Sequence, residues 1–267
     1  NLNNVNLQLV LGGTDTATVR DGLTFGAGNT VATVNFTNIE NLYLQDSVGG
    51  AAERLAIPLS GSGTSGAIAG TSSADTITLA GQSYTNSTIW GQQGDDTLTG
   101  GAGGDTIYGG AGDDVIQGSA GNDQIYVGAG SDDIKFVSQA NFGANMAANK
   151  HDTIYGFVSG TDELKFTDSG FTGVTSGATI AVAGTPAANN NNNLVILGDT
   201  AWQAAGASAG GVAAGHANQR FLYNSDYGRL YYDADGSGGT AAIFIAELLA
   251  ANMNPVSNLV TADIDVV

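Results

Sequence analysis

The chain has 267 residues, room for one long domain or two to three small ones, and a formal net charge of −18 with seven Lys plus Arg. That balance argues against nucleic acid and anionic membranes as partners, and for bound cations or a solvated acidic surface. There is no cysteine, glycine is abundant at 41 and proline scarce at 3, so a secreted chain of this size needs a staple other than disulfides. No run of about 20 apolar residues is present, so no membrane span is expected. The chain shows neither an initiator Met nor a signal peptide, which predicts a fragment or processed piece of something longer.

Residues 1–69 read as a β-rich region. Val5, Leu7, Leu9 and Leu11 alternate with polar partners, the pattern of a half-buried strand, and Gly12-Gly13 ends it. Residues 31–36 form a second alternating run, and Phe36-Thr37-Asn38-Ile39-Glu40-Asn41-Leu42-Tyr43-Leu44 a third. Two readings stand open: a solenoid lead-in and an ordinary antiparallel β-region.

From residue 70 a nine-residue beat sets in. Gly70-Thr71-Ser72-Ser73-Ala74-Asp75-Thr76-Ile77-Thr78 is a degraded copy, and after a short offset residues 82–90, with Ser87 and Ile89, keep only its second half. Then come five tandem copies without a gap. They are Gly91-Gln92-Gln93-Gly94-Asp95-Asp96-Thr97-Leu98-Thr99, Gly100-Gly101-Ala102-Gly103-Gly104-Asp105-Thr106-Ile107-Tyr108 and Gly109-Gly110-Ala111-Gly112-Asp113-Asp114-Val115-Ile116-Gln117. Gly118-Ser119-Ala120-Gly121-Asn122-Asp123-Gln124-Ile125-Tyr126 and Val127-Gly128-Ala129-Gly130-Ser131-Asp132-Asp133-Ile134-Lys135 complete the set. A low-complexity Gly/Asp linker would not keep an aliphatic residue on so strict a period.

Each copy splits into a turn and a strand. The first six positions are Gly, Asp and small residues, a turn composition, and glycine permits positive φ with carbonyl oxygens aimed inward. The last three form a short strand whose middle residue points one way and whose neighbours point the other. Leu98, Ile107, Ile116, Ile125 and Ile134 are therefore the expected core. A loop of glycine carbonyls with one carboxylate supplies part of the oxygen shell, about six to eight ligands, that a hard cation such as calcium takes.

The repeats closely resemble the calcium-binding G-G-x-G-x-D-x-U-x unit of the RTX family. The resemblance implies an all-β fold: a right-handed parallel β-roll over residues 70–136, flanked by β-rich N-terminal and C-terminal capping regions (residues 1–69 and 137–267). In that family two nonapeptides complete one coil. Asp96 then stacks on Asp114, Asp114 on Asp132, and Asp105 on Asp123, with at least three calcium ions between the pairs. The implied ligands are these five aspartates and the carbonyls of Gly91, Gly94, Gly100, Gly101, Gly103, Gly109, Gly110, Gly112, Gly118, Gly121, Gly128 and Gly130. Asp75 shares an ion with Asp96, while Ser87, a poor ligand, leaves its edge short of one. The Glu40-Asn41-Leu42 strand also resembles strands beside RTX repeats in secreted surface-layer proteins.

Past the repeats, His151-Asp152-Thr153-Ile154 through Phe157, Gly160, Asp162 and Leu164 resembles the segment that closes RTX rolls, including the serralysin-type C-terminal domain. Asp152 is the expected ligand of the last ion; Asp162 is either a ligand or a turn residue. Residues 179–182 and 194–197 read as apolar strands around an asparagine run, and residues 202–217 as weakly helical at best. Phe221 to Tyr232 reads as a hairpin leading to Asp233-Ala234-Asp235-Gly236, either an acidic turn or a calcium loop; it lacks the glutamate that an EF-hand needs, Phe244 standing there. The ending Asp263-Ile264-Asp265-Val266-Val267 resembles the C-termini of type I secretion substrates, with an edge strand as the alternative.

No catalytic constellation is found: His151 and His216 are far apart, and no nucleophile motif surrounds a serine. The chain is therefore not expected to be an enzyme. Two functions fit: a calcium-binding structural module of a secreted bacterial surface protein (S-layer or extracellular fibre), and the secretion and folding module of an exoenzyme or adhesin. The expected partners are calcium, another copy of the chain or a cell-surface component, and the type I secretion machinery, with the protein secreted to the cell surface.

Overall fold

The structure is a computed structural model. It describes residues 67–70, 72–79, 86–142, 151–174, 176, 220–235 and 242–267, and, as backbone only, the strands outside those ranges and Gly66. The expectations for residues 31–35, 189–193 and 202–217 lie outside the described residues. The chain forms two compact units, Asn1–Asp132 and Asp133–Val267.

The first unit is a stack of short parallel strands. One sheet contains β1 (Leu7–Gly12), β5 (Asn41–Gln45), β7 (Gly66–Ala69), β9 (Ser87–Gln93), β11 (Thr106–Ala111) and β13 (Gln124–Ala129). The other contains β4 (Phe36–Thr37), β6 (Ala56–Ser60), β8 (Thr76–Thr78), β10 (Thr97–Thr99) and β12 (Val115–Gln117). The registers run in files: Leu7 pairs with Leu42, Leu42 with Ile68, Ile68 with Ile89, Ile89 with Ile107, and Ile107 with Ile125. On the opposite sheet Ile57, Ile77, Leu98 and Ile116 form the second file. The N-terminal region thus pairs in parallel with the repeats. Among the described residues, antiparallel pairing there is limited to β2 (Thr16–Val19) and β3 (Leu23–Thr24), which extend outward from β1.

The alternation seen in the sequence is the alternation of burial. Ile77, Ile89, Leu98, Ile107, Ile116 and Ile125 are all 0 % exposed, and their Thr, Gln and aromatic neighbours face outward. Each buried aliphatic contributes roughly 1.5–3 kcal/mol. Outside, Trp90 stacks on Tyr108 at 6.0 Å between centroids and Tyr108 on Tyr126 at 4.6 Å. This ladder follows from the parallel register, which sets the ninth position of alternate repeats side by side.

The second unit starts with β14 (Asp133–Phe136), which pairs in parallel with β16 (Glu163–Phe166); β16 in turn pairs with β22 (Ile264–Val266). Across from it, β15 (Asp152–Tyr155) runs parallel to β21 (Ile243–Leu249). The expected hairpin is present as β19 (Phe221–Asn224) and β20 (Arg229–Tyr232), with β20 antiparallel to β21. Strands β17 (Val182–Ala183) and β18 (Leu194–Leu197) continue that sheet. Ile134 is fully buried here, and Phe136, Phe166, Phe171, Phe221 and Tyr232 pack edge-to-face and offset into an aromatic core. Such pairs add about 0.5–1.5 kcal/mol each beyond area burial.

The C-terminal residues are built into this unit. Ile264 and Val266 are buried, and the buried Asp263 carboxylate accepts from Ser159 Oγ (2.7 Å), Gly160 N (2.6 Å) and Val260 N (2.6 Å). Asp162 closes its turn by accepting from Val158 N at 2.8 Å, and Asp233 accepts from Asp235 N at 3.1 Å. Among the described residues no α-helix occurs, and no helix is long and apolar enough to cross a membrane.

Candidate metal centre

The turns of the first unit stack in the same register as its strands. Gly94 N donates to Ala111 O, and Gly112 N to Ala129 O. The sixth-position aspartates therefore fall in two columns. On one edge Asp75 N donates to Asp96 Oδ1 (2.7 Å), Asp96 N to Asp114 Oδ1 (2.8 Å) and Asp114 N to Asp132 Oδ1 (2.9 Å). On the other, Ser87 N donates to Asp105 Oδ1 (2.7 Å) and Asp105 N to Asp123 Oδ1 (2.8 Å). Sequence partners along each column are 18 residues apart once the intact repeats begin. The expected pairs Asp96–Asp114, Asp114–Asp132 and Asp105–Asp123 are thus neighbours.

The carboxylates are buried; Asp96, Asp105, Asp114, Asp123 and Asp132 are each 1 % exposed. One oxygen of each is engaged by a backbone N–H. The other oxygens of Asp96 and Asp114 are buried with no hydrogen-bond donor. A buried anionic oxygen without a partner is costly, and the ordinary remedy is a cation.

Other oxygens converge on the same places. A methyl on Gly91 would collide with Asp96 Oδ2 and the Gly109 carbonyl, and one on Gly109 with Asp114 Oδ2 and the Val127 carbonyl. Deeper in the turn, Gly112 (φ +131) faces the Gly94 carbonyl and Gly130 (φ +149) the Gly112 carbonyl. Only glycine accepts both that backbone conformation and that proximity. Among the described residues no three His, Asp or Glu side chains converge, so most donors here are main-chain carbonyls. An all-oxygen set of carboxylate and carbonyl groups suits calcium and is poor for zinc or copper, which favour nitrogen and sulfur. A calcium ion held there would supply the positive charge that lets these carboxylates stay ionised while buried.

Asp105 differs from its counterparts. Its Oδ1 accepts from Ser87 N and its Oδ2 from Gly101 N, both at 2.7 Å. The protein satisfies both oxygens at this end of the second column. Asp152 lies in the second unit, buried at the start of β15.

The acidic pairs Asp95-Asp96 and Asp113-Asp114 were legible as part of the metal loops; the stacking of their outer members, and two exceptions to the glycine pattern, were not. Asp95 and Asp113 form an outer column, with Asp113 N donating to Asp95 Oδ1 (2.9 Å) and Ser131 N to Asp113 Oδ1 (2.8 Å). Gln92 and Ser119 occupy second-position glycine sites with φ of 85° and 82°. The signal for the last two was available, as exceptions to the glycine pattern.

Burial is the main force on the carboxyls. It pushes Asp96 up to about 7 and Asp114 up to about 6, against the lowering effect of the N–H donors; neighbouring carboxylates push further upward. Burial also raises Asp105, opposed by its Gly101 and Ser87 donors. A group with a raised folded-state pKa stabilises the fold fully below its unfolded value, and that contribution is lost as pH rises through the folded value. Calcium-free protein is therefore expected to be most stable near or below pH 3.8 in this respect, and to weaken from there through about pH 7. The far-UV circular-dichroism β-signal of dialysed, calcium-free protein at pH 5 and pH 8 checks this; a larger signal at pH 8 contradicts it.

A parallel β-roll with carboxylate and carbonyl columns along its edges defines a calcium-binding solenoid repeat. Residues 84–107 and 99–134 match the sequence profile of the RTX calcium-binding nonapeptide repeat, a four-copy unit. The chain thus carries a block of RTX calcium-binding repeats on an all-β parallel β-roll. No curated protein matches the chain.

Proposed function

We propose that the chain is the calcium-folded structural module of a secreted bacterial surface protein, a surface-layer or extracellular fibre subunit, without catalytic activity of its own. The observation that carries this reading is the buried, donor-less second oxygen of Asp96 and of Asp114, stacked under carbonyls within the RTX block. At least three ions sit between Asp96 and Asp114, Asp114 and Asp132, and Asp105 and Asp123. Extracellular calcium modules bind at about 10⁻⁴–10⁻³ M, so the roll stays unfolded in calcium-poor cytosol and folds after export. The net charge of −18 gives calcium a second role, bridging acidic faces of neighbouring copies.

The other reading, a secretion and folding module of an exoenzyme or adhesin, is favoured by the closing segment at His151 and the hairpin at Phe221. Calcium titration of chelator-stripped protein, followed by far-UV circular dichroism and light scattering together, separates the two. A β-signal followed by cooperative scattering is the expected result. A β-signal without scattering supports the monomeric export module. No response in either signal overturns the calcium reading.

A further inference from the structure

The first coil of the repeat block departs from the pattern of the coils that follow. Gln92 stands where Gly110 and Gly128 stand later, and it holds φ +85, a conformation that disfavours any side chain. The strained residue makes a specific contact: its Nε2 donates to the Gly70 carbonyl at 2.5 Å. Gly70 N in turn donates to Trp90 O at 2.7 Å, so both backbone groups of this buried glycine are paired within the protein. Below Gly94 lie Ser73 and Ala74, where later coils set one glycine on another. Asp75 N donates to Asp96 Oδ1, and Thr97 N to Asp75 O. Those last two bonds recur in the later coils, as Asp96 N to Asp114 Oδ1 and Val115 N to Asp96 O; what sets this coil apart is the Gln92 amide on the Gly70 carbonyl.

A primary amide turns the positive end of its N–H dipoles towards a carbonyl oxygen, the same polarity a cation presents. We propose that the Gln92 amide takes the place of a calcium ion in the coil formed by Gly70–Asp75 and Gly91–Asp96. This coil then folds without metal and is the template on which the calcium-dependent coils wind. The inference rests on the calcium reading of those later coils, and it replaces the ion expected between Asp75 and Asp96. A solenoid repeat is stable only against a formed neighbour, so a preformed first coil removes the unfavourable nucleation step.

The test is amide hydrogen exchange on the full chain, with and without calcium. In calcium-free protein the Gly70, Asp75 and Thr97 amides are expected to stay protected, while Gly112, Asp114 and Val115 gain protection only with calcium. Gln92→Gly separates a closing role from a passive one by sign. Glycine relieves the left-handed backbone, so a passive Gln92 predicts slower or unchanged exchange in the calcium-free first coil. A closing amide predicts faster exchange at Gly70 and Asp75, by about tenfold for one lost hydrogen bond. Gln92→Lys, which keeps a donor in reach of Gly70 O, is expected to stay close to the parent. Slower or unchanged exchange in Gln92→Gly overturns the inference, as does Gln92→Lys behaving like Gln92→Gly. A first coil that exchanges freely in the calcium-free parent also overturns it. Later coils indifferent to calcium point instead to failure of the calcium reading itself.

Discussion

Asp114→Asn is expected to lower stability in calcium by about 4 kcal/mol and to raise it in chelator. Asp114 stands mid-column: Asp96 N donates to its Oδ1, its own N donates to Asp132 Oδ1, and its Oδ2 has no donor. Asparagine has nearly the same shape and keeps one oxygen acceptor, so the backbone ladder survives. What disappears is the charge shared by two adjacent ion sites. A site filled at about 30-fold above its dissociation constant contributes roughly 2 kcal/mol, which for two sites makes the loss expected here. Without calcium the same charge is a burden, because burial holds the Asp114 carboxyl at about 6 instead of its ordinary 3.8. Urea unfolding in millimolar calcium reads the loss, and the far-UV circular-dichroism β-signal in excess chelator, larger in the variant, reads the gain. Equal destabilisation in the two conditions would mean that Asp114 serves the hydrogen-bond ladder alone.

Gly109→Ala tests the carbonyl half of the site. The added methyl would press on the Val127 carbonyl, on Asp114 Oδ2 at 2.6 Å and on Ile116 Cδ1 at 3.0 Å. Two of those three atoms are the oxygens offered to the cation. Overpacking alone costs about 1–3 kcal/mol, and losing the ion beside it adds roughly 2 kcal/mol more. Gly160→Ala is the control: φ is +81 and nothing lies within 4 Å of the added carbon, so only the left-handed penalty of roughly 1–2 kcal/mol applies. Thermal melts in calcium should therefore rank Gly109→Ala well below Gly160→Ala. The gap should shrink in chelator, where no ion remains to be lost. Equal effects in calcium would remove Gly109 from the site.

The roll itself was legible because its code is local. A turn of Gly and Asp followed by a Thr-Ile-Tyr-like strand repeats every nine residues, and burial of Leu98, Ile107, Ile116 and Ile125 follows from side-chain alternation alone. The Asp96–Asp114–Asp132 column follows from the same period together with the family's rule of two repeats per coil. The N-terminal strands were legible only as strands. Leu7 pairs with Leu42 and Leu42 with Ile68 at unequal separations, and no period announces a parallel partner reached through loops of differing length.

The sequence by itself determined the inward aliphatic files, the glycine-lined turns and the identity of the stacked carboxylates, since all three depend on spacing within a few residues. Tertiary structure alone decided three further things. It set which Asp oxygen is left bare, as at Asp96 and Asp114, and which is satisfied by Gly101 N, as at Asp105. It carried the Gln92 amide to Gly70, 22 residues away. It brought Asp263 to Ser159 and Gly160, more than 100 residues earlier. The reason is common to the three: a hydrogen bond between distant residues depends on how coils and loops pack, and packing is cooperative over the whole stack rather than encoded in any one repeat.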